Sequence, residues 1–355
     1  MNIFISAGDL SGDIHGAELA SKIKEINPSA RICALGGDNL KRVAGIFIED
    51  IVHINAFGFL PIKQIFFLIK VFKKVKTFFS DNRPDKIILI DYYGFHIHLA
   101  KLAKKLNIDV YYYISPQVWA SRGGRVKTLK KFIKKMLVIF PFEEKLYNDA
   151  GIDAVFVGNP LTEKFKFRER FSASNPPLIG LFPGSRKDTI KRHIPVLIKT
   201  AEILREKLNA DFVLFSAGKE MPCKIPAFIK VDEKNDMDLR SAVDIAINPS
   251  GTISLENAFL GVHMAVMYKL SLFNYFFIRS IIKVKYITIV NILMGREIIP
   301  EFIQFDAKPD AIADNIVKQL SPEFYAAKTK ELKCIRALFG EGSASGRAAE
   351  IIMGS

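Results

Sequence analysis

Residues 244–261, DIAINPSGTISLENAFLG, decide how the rest of this chain is read. The apolar run 243–247 has the composition of a strand buried on both faces. Asn248 and Pro249 stop it, Ser250-Gly251-Thr252 opens a helix, and Gly261 ends that helix. Ser250 is placed to cap the free amides of the first turn. Gly251 lets a ligand approach the backbone closely. Unpaired amides and the helix dipole together make a seat for phosphate. Glu256, one turn further on, is placed to accept hydrogen bonds from a ribose. The plain alternative is an ordinary strand–turn–helix connection without a ligand.

The neighbouring segments repeat this plan. Residues 178–182 read as a strand that runs through Pro183-Gly184-Ser185-Arg186-Lys187 into a helix. Amides there, with the fork of Arg186, can hold a diphosphate by directional bonds. The spacing is not that of a Walker A loop. Strands are also expected at 211–216 and, as the last of the series, at 264–268. Residues 270–289 form an aromatic and basic stretch. Residues 291–304 set polar groups in an apolar context, a pattern that suits a ligand loop.

Towards the N-terminus, 2–6 reads as a strand and 14–26 as a helix, joined by AGDLSGD at 7–13. The G-x-G-x-x-G spacing is absent. Asp9 and Asp13 at this helix start would repel a phosphate and suit the hydroxyls of a sugar. Capping of the helix by Asp9, Ser11 or Asp13 is the plain alternative. Further strands are expected at 32–35, 46–48, 86–91, 110–115, 135–140 and 155–157. The strand 86–91 ends in Asp91, a site candidate because strand carboxyl ends carry the ligands of open α/β sheets. His96 is a reserve base. The strand 110–115 delivers Gln117 and Trp119, the sole tryptophan, which can stack on a sugar or line an acyl pocket.

Strands alternating with helices predict an α/β fold with parallel sheets wound by helices on both faces. Domains are expected at 1–168 and 177–325, with a polar linker at 168–177. A helical tail, 326–355, is expected to pack back on the first domain.

The 355 residues are 49% hydrophobic and suffice for two cores without disulfides. Cys33, Cys223 and Cys334 are widely spaced and suggest neither a zinc site nor a secreted scaffold, so a reducing cytosol fits best. A net charge of +14 points to polyanionic partners. Nucleic acid is the weakest of these, with no zinc-finger spacing or RRM-type motif. Residues 1–5 are too short for a signal segment, and no apolar run reaches the roughly 20 residues a bilayer requires. Residues 59–79, FLPIKQIFFLIKVFKKVKTFF, read as a helix on which Lys63, Phe67, Lys70 and Lys74 share a strip. Lysines around a phenylalanine suit an anionic membrane surface. A buried helix with snorkelling lysines is the alternative.

Six segments in order, AGDLSGD (7–13), ISPQVWA (114–120), VGNPL (157–161), PGSRK (183–187), SGTISLE (250–256) and NILMGREIIPEFIQ (291–304), span nearly the whole chain. PGSR or SGT alone says little. Together they resemble the lipid-A-disaccharide synthase family, inverting glycosyltransferases of the GT-B type, with two Rossmann-like domains whose parallel sheets face a cleft. The resemblance implies that UDP-2,3-diacylglucosamine donates its sugar to the 6-hydroxyl of 2,3-diacylglucosamine 1-phosphate, without metal or cofactor. It places the enzyme in the cytoplasm, peripheral on the inner membrane, and is compatible with a homodimer formed through the C-terminal tail.

By the same resemblance, Gly184, Ser185, Arg186, Ser250, Gly251, Thr252, Glu256, Asn291, Arg296 and Gln304 serve the UDP side. Asp9, Ser11, Gly12, Gln117 and Trp119 serve the acceptor sugars, and Asp91 or Asp13 is the base. The family often carries a second aspartate three residues after the one matching Asp91; this chain has Gly94 there. It has Asp9 for the usual Glu, Asn159 for a frequent His, and Ser121 for a second Trp. Another UDP-sugar enzyme of this architecture, such as a UDP-GlcNAc 2-epimerase, and a non-catalytic basic membrane-binding protein are the competing readings.

Overall fold

The computed structural model describes residues 1–53, 61–118, 124–281 and 284–354; Trp119 and the side chain of Lys63 lie outside the described residues. The chain divides into two units, residues 1–163 with 341–355, and residues 164–340.

The first unit holds a seven-stranded sheet of β1 (Asn2–Ala7), β2 (Arg31–Gly36), β3 (Ile46–Asp50), β4 (Lys86–Ile90), β5 (Asp109–Tyr113), β6 (Lys135–Val138) and β7 (Ala154–Phe156), in the order β3-β2-β1-β4-β5-β6-β7. Every pairing is parallel, with Ile5 opposite Ile88 and Ile88 opposite Tyr111. A sheet covered on both sides needs apolar residues at successive positions, and all five residues of β4, KIILI, are buried. Side chains alternate between two core layers. Phe4, Ile87, Leu89 and Tyr112 share a layer with Val71, Val75 and Phe79 of the helix Pro61–Asp81, whereas Ile3, Ile5, Ile88 and Tyr111 share the other with Leu19 and Ile23 of the helix Leu10–Ile26.

The second unit repeats the scheme with β8 (Leu178–Leu181), β9 (Asp211–Phe215), β10 (Ile229–Asp232), β11 (Ile245–Asn248), β12 (His263–Tyr268) and β13 (Glu301–Ile303), ordered β10-β9-β8-β11-β12-β13 and again all parallel. In each sheet the winding reverses at one place, between β1 and β4 and between β8 and β11. The carboxyl ends of the strands flanking such a switch point open a crevice for ligands.

Three expectations change. The series does not end at 264–268, because β13 adds an edge strand beside β12. β10 is likewise an edge strand, and half-exposed edges lack the apolar run that marks a central strand. The helix expected from residue 14 starts at Leu10, because Asp9 caps it by accepting from the Gly12 amide at 2.7 Å.

The tail divides. The helix Pro322–Ala337 belongs to the second unit, where Thr329 meets His263 at 2.9 Å. The helix Ala344–Gly354 belongs to the first, burying Ala348, Ala349 and Ile352 in its core. Lys86 Nζ donates to the Ile352 carbonyl and Tyr113 Oη lies 3.3 Å from Ser345 Oγ. Only the last helix of the expected tail thus packs on the first unit, through Ala348, Ala349 and Ile352.

The segment read as a linker is fastened to the second unit. Asp244, fully buried, pairs with Arg170 at 2.9 Å and accepts from the amides of Ser174 and Leu178 at 3.1 and 2.8 Å, and from the Ser174 hydroxyl. Removing one member of such a buried network leaves a charge uncompensated. Asp244→Ala is therefore expected to lower stability by about 3 kcal/mol or more in urea unfolding; a loss below about 1 kcal/mol would contradict this role.

Candidate functional site

The second unit gathers its candidate residues around the switch point between β8 and β11. A Cβ built on Gly184, whose φ is 100°, would lie 3.6 Å from Pro249, so the loops leaving the two strands touch there. Ser185 and Arg186 are exposed, and Arg186 immediately precedes the helix Lys187–Lys207. A pocket of about 380 Å³ opens beside this helix start. Arg186, Lys187, Arg192 and Lys269 line it against one carboxylate, Asp188. That excess of cations and the free amides of the first turn suit a phosphate-bearing ligand.

Ser250, Gly251 and Thr252 do not line this pocket; they flank the same loop from the β11 side. Gly251 has φ 150° and ψ −162°, a region open essentially to glycine alone. Its Cβ position faces open space, so conformation rather than crowding demands glycine. Ser250 is not the cap: Gly251 occupies that place, and Ser250 Oγ donates instead to the Ile287 carbonyl at 2.6 Å. The amides of the first turn are left without a side-chain cap.

Glu256 pairs with Arg240 at 2.7 Å. Arg240, only 1% exposed, also donates from Nε and Nη2 to Asn257 Oδ1 at 3.2 and 3.0 Å, and lies over the Phe165 and Phe182 rings. Glu256 Oε2 faces the guanidinium, and the Glu256 side chain keeps 19% exposure.

Of three other expected ligand residues, Asn291 and Gln304 are taken up by buried hydrogen bonds and Arg296 stands exposed in an ion pair. Asn291 is fully buried: its Nδ2 donates to the Ile299 carbonyl and Glu301, and its Oδ1 accepts from the amides of Ile298 and Ile299. Such an amide braces a loop and has nothing left for a nucleotide. Arg296 pairs with Glu331 at 2.8 Å. Gln304 clamps both backbone groups of Leu270, at 2.9 and 3.2 Å, and so positions a wall of the pocket rather than facing into it.

Sequence reading missed His193, Arg240 and Glu301 as organisers. His193 Nδ1 donates to the Pro183 carbonyl at 3.1 Å and Nε2 accepts from the Lys269 amide at 3.0 Å, tying together two loops that line or flank the pocket. Burial pushes its pKa down to about 4, which keeps this neutral tautomer. Glu301 accepts from the amides of Ile287 and Thr288, holding the segment that Ser250 meets. Nothing in an amphipathic helix or a polar turn marks these residues in advance, since their partners are distant in sequence.

In the first unit, Asp9 and Asp91 follow the adjacent strands β1 and β4 at the other switch point. Asp91 and Tyr92 both have φ 46°, a strained conformation for side-chain-bearing residues. The Asp91 carbonyl is fixed by Tyr112 Oη and by His96 Nδ1 at 2.8 Å, and His96 Nε2 accepts from Ser6 Oγ at 2.8 Å. Both ring nitrogens are used and burial lowers the His96 pKa to about 4, so His96 positions the turn and does not serve as a base. The Tyr92 ring covers Gly8, where a Cβ would sit 2.1 Å from ring carbons. Burial, and then the nearby Asp9 charge, raise the Asp91 carboxyl to about 6. The Arg125 charge opposes this; its guanidinium lies 4.3 Å over the Tyr93 ring.

Asp13 is corrected as a catalytic candidate. It is fully buried, accepting from the amides of Gly37, Asn39 and Leu40 at 2.7, 2.9 and 3.2 Å and from Asn39 Nδ2 at 2.9 Å. It caps the helix Asp38–Val43 from within the fold and presents no lone pair to a substrate. Ser11 and Gln117 are exposed, while Gly12 is buried. Gly94 is exposed and its Cβ direction is open. Among the described residues no group of three or more His, Cys, Asp or Glu gathers as a metal site.

The membrane strip is rotated from its expected place. Phe67 packs against the core and Lys74 pairs with Glu49. Among the described residues of the helix Pro61–Asp81, the large apolar side chains facing outward are Ile65, Phe66 and Ile69, 57, 68 and 47% exposed, followed by exposed Lys70, Lys73 and Lys76. No described helix is long and apolar enough to cross a membrane.

A family model described as lipid-A-disaccharide synthetase matches residues 3–352. The chain is 38% identical over 324 residues to lipid-A-disaccharide synthase 1 of Legionella pneumophila, covering 86% of this chain and 84% of that relative. It is 35% identical over 369 residues to lipid-A-disaccharide synthase of Geobacter sulfurreducens, covering 99% and 96%. A solved structure of the glycotransferase of kitacinnamycin superposes with a TM-score of 0.67 at 14% identity, covering 99% of this chain and 98% of that one, a likeness of fold alone.

The two buried or half-buried carboxylates should respond differently to substitution. Asp13→Ala strands four donors and is expected to cost about 3 kcal/mol or more in chemical unfolding; a neutral change would contradict its capping role. Asp91 is held above its unfolded pKa, so its ionisation opposes folding increasingly as pH rises from about 4 to about 6, and by a constant amount above that. Asp91→Asn should therefore gain stability over the wild type at neutral pH, with the gain vanishing below about pH 4, as thermal melts across pH will test.

Proposed function

The chain belongs to the lipid-A-disaccharide synthetase family, and from that premise we propose how its residues carry out the transfer. It is a glycosyltransferase of lipid A biosynthesis, taking a UDP-sugar donor and an acylated glucosamine acceptor. The specific reaction we propose is transfer from UDP-2,3-diacylglucosamine to the 6-hydroxyl of 2,3-diacylglucosamine 1-phosphate, releasing UDP.

The second unit holds the donor. Arg186 and the amides that open the helices after β8 and β11 take the negative charge that grows on the departing diphosphate, so fixed dipoles and a guanidinium do a cation's work. Glu256, with one oxygen steadied by Arg240, keeps the other for the ribose hydroxyls. The observation that carries this reading is the meeting of the 183–187 loop and the 249–252 turn through Gly184 and Pro249, at the switch point of a parallel sheet.

The first unit supplies the base. Asp91 takes the acceptor's 6-hydroxyl proton as the oxygen attacks the anomeric carbon. A carboxyl at about 6 is ionised at neutral pH yet more basic than an exposed aspartate. Asp9, Ser11 in the first turn of the helix Leu10–Ile26, and Gln117 beyond β5 serve the sugars. Ile65, Phe66 and Ile69 enter the edge of the acyl layer at the cytoplasmic face of the inner membrane, and the lysines beyond them meet anionic headgroups.

Two measurements test these roles. Arg186→Ala should lower kcat by about a hundredfold, as loss of a transition-state charge partner does, and should weaken UDP binding in calorimetry; normal turnover would remove Arg186 from the site. The kcat/KM profile should rise with pH through about 6 in the wild type. Asp91→Asn should be nearly inactive at every pH; retained activity with the same acid limb would assign the proton to another group.

A further inference from the structure

Among its described side chains, the helix Leu272–Ile281 leaves four large apolar residues exposed. Leu272, Phe273, Phe276 and Phe277 are 57, 79, 60 and 57% exposed. Their spacing puts them on one face of the helix, and the Phe273 and Phe277 rings are stacked with planes 4° apart. Phe305, 59% exposed, extends the patch through Tyr275, whose ring is 5.8 Å from its own. A contiguous apolar patch of this kind on an otherwise cationic chain marks a contact surface.

Two facts identify what it contacts. The same helix lines the pocket of about 380 Å³ through Asn274, with Ser271 and Leu270 just before it. The rim of that pocket is cationic, and Arg279 is exposed on the helix itself, donating to Tyr275 Oη at 2.8 Å. Aromatic rings beside cations, next to an anion pocket, match the chemistry of an anionic lipid layer: tails meet the rings and phosphates meet the bases.

We propose that the helix Leu272–Ile281 is a membrane-seating face of the second unit, with Phe273, Phe276 and Phe277 entering the acyl layer so that the diphosphate of a lipid held in that layer reaches the adjoining cationic pocket. The donor's tails would then stay in the membrane while its head is bound. The identity of that lipid rests on the donor reading above; the membrane contact does not.

The test uses the full chain and a Phe273→Ser/Phe276→Ser/Phe277→Ser variant, with Phe273→Glu as a single change at the most exposed position. Flotation is measured on vesicles of phosphatidylcholine alone and mixed with phosphatidylglycerol. Both variants should bind the mixed vesicles about fivefold or more weakly, keep the UDP-induced rise in melting temperature, and raise KM for vesicle-borne donor more than they lower kcat. Unchanged vesicle binding by both variants would overturn the proposal. So would a change confined to oligomeric size, which would give the face to a second copy of the chain. Failure of UDP to stabilise even the wild type would sink the donor reading while leaving the vesicle comparison to decide the membrane face.

Discussion

A guanidinium sealed from water sets the shape of the second unit around β11. Arg240 cannot stay charged in the interior without partners, and its three nitrogens are matched by Glu256 and Asn257. Asn257 in turn donates to Asn248 Oδ1 at 3.3 Å, and Asn248 donates to Ser254 and to the Pro249 carbonyl. One connected polar network therefore spans the end of β11, the turn after it and the helix Thr252–Leu260. That support is what lets Gly251 hold a backbone conformation other residues avoid, with the helix amides turned outward. The desolvation cost of the buried charge is offset by the Glu256 pair and the Asn257 hydrogen bonds, and the satisfied network holds the turn rigid.

The first unit uses the same device with different groups. Two consecutive left-handed residues at the end of β4 would relax if unsupported; a neutral buried histidine, a tyrosine hydroxyl and a ring pressed on Gly8 prevent it. The strain places the Asp91 carboxyl next to another carboxylate in a partly dry setting, and this is what raises its proton affinity. In both units the candidate site residues follow strand ends, and neutral histidines, His96 and His193, fasten the loops.

Much of this was legible in the chain itself, for physical reasons. Central parallel strands such as KIILI must be apolar at every position, so they announce themselves. The loops at 183–187 and 249–252 were legible because glycine, proline and small polar residues between a buried strand and a helix leave few other conformations. Asp13 was misread because a carboxylate near a helix start looks the same whether it faces a ligand or caps another helix. What settled it were amides 24 to 27 residues away. Phe66 and Phe67 exchanged places because a helix apolar around most of its circumference does not say which stripe faces the core. Asn291 and Gln304 depended on backbone partners, and Arg240 on the side chains of Glu256 and Asn257, all beyond the reach of a helix or strand period.

Amide hydrogen exchange with and without UDP tests most directly whether one site joins the two strand ends. UDP should protect the amides of 185–189 and of 251–254 together, over the same range of nucleotide concentration. Protection confined to one of these segments, or appearing only in the first unit, would contradict it.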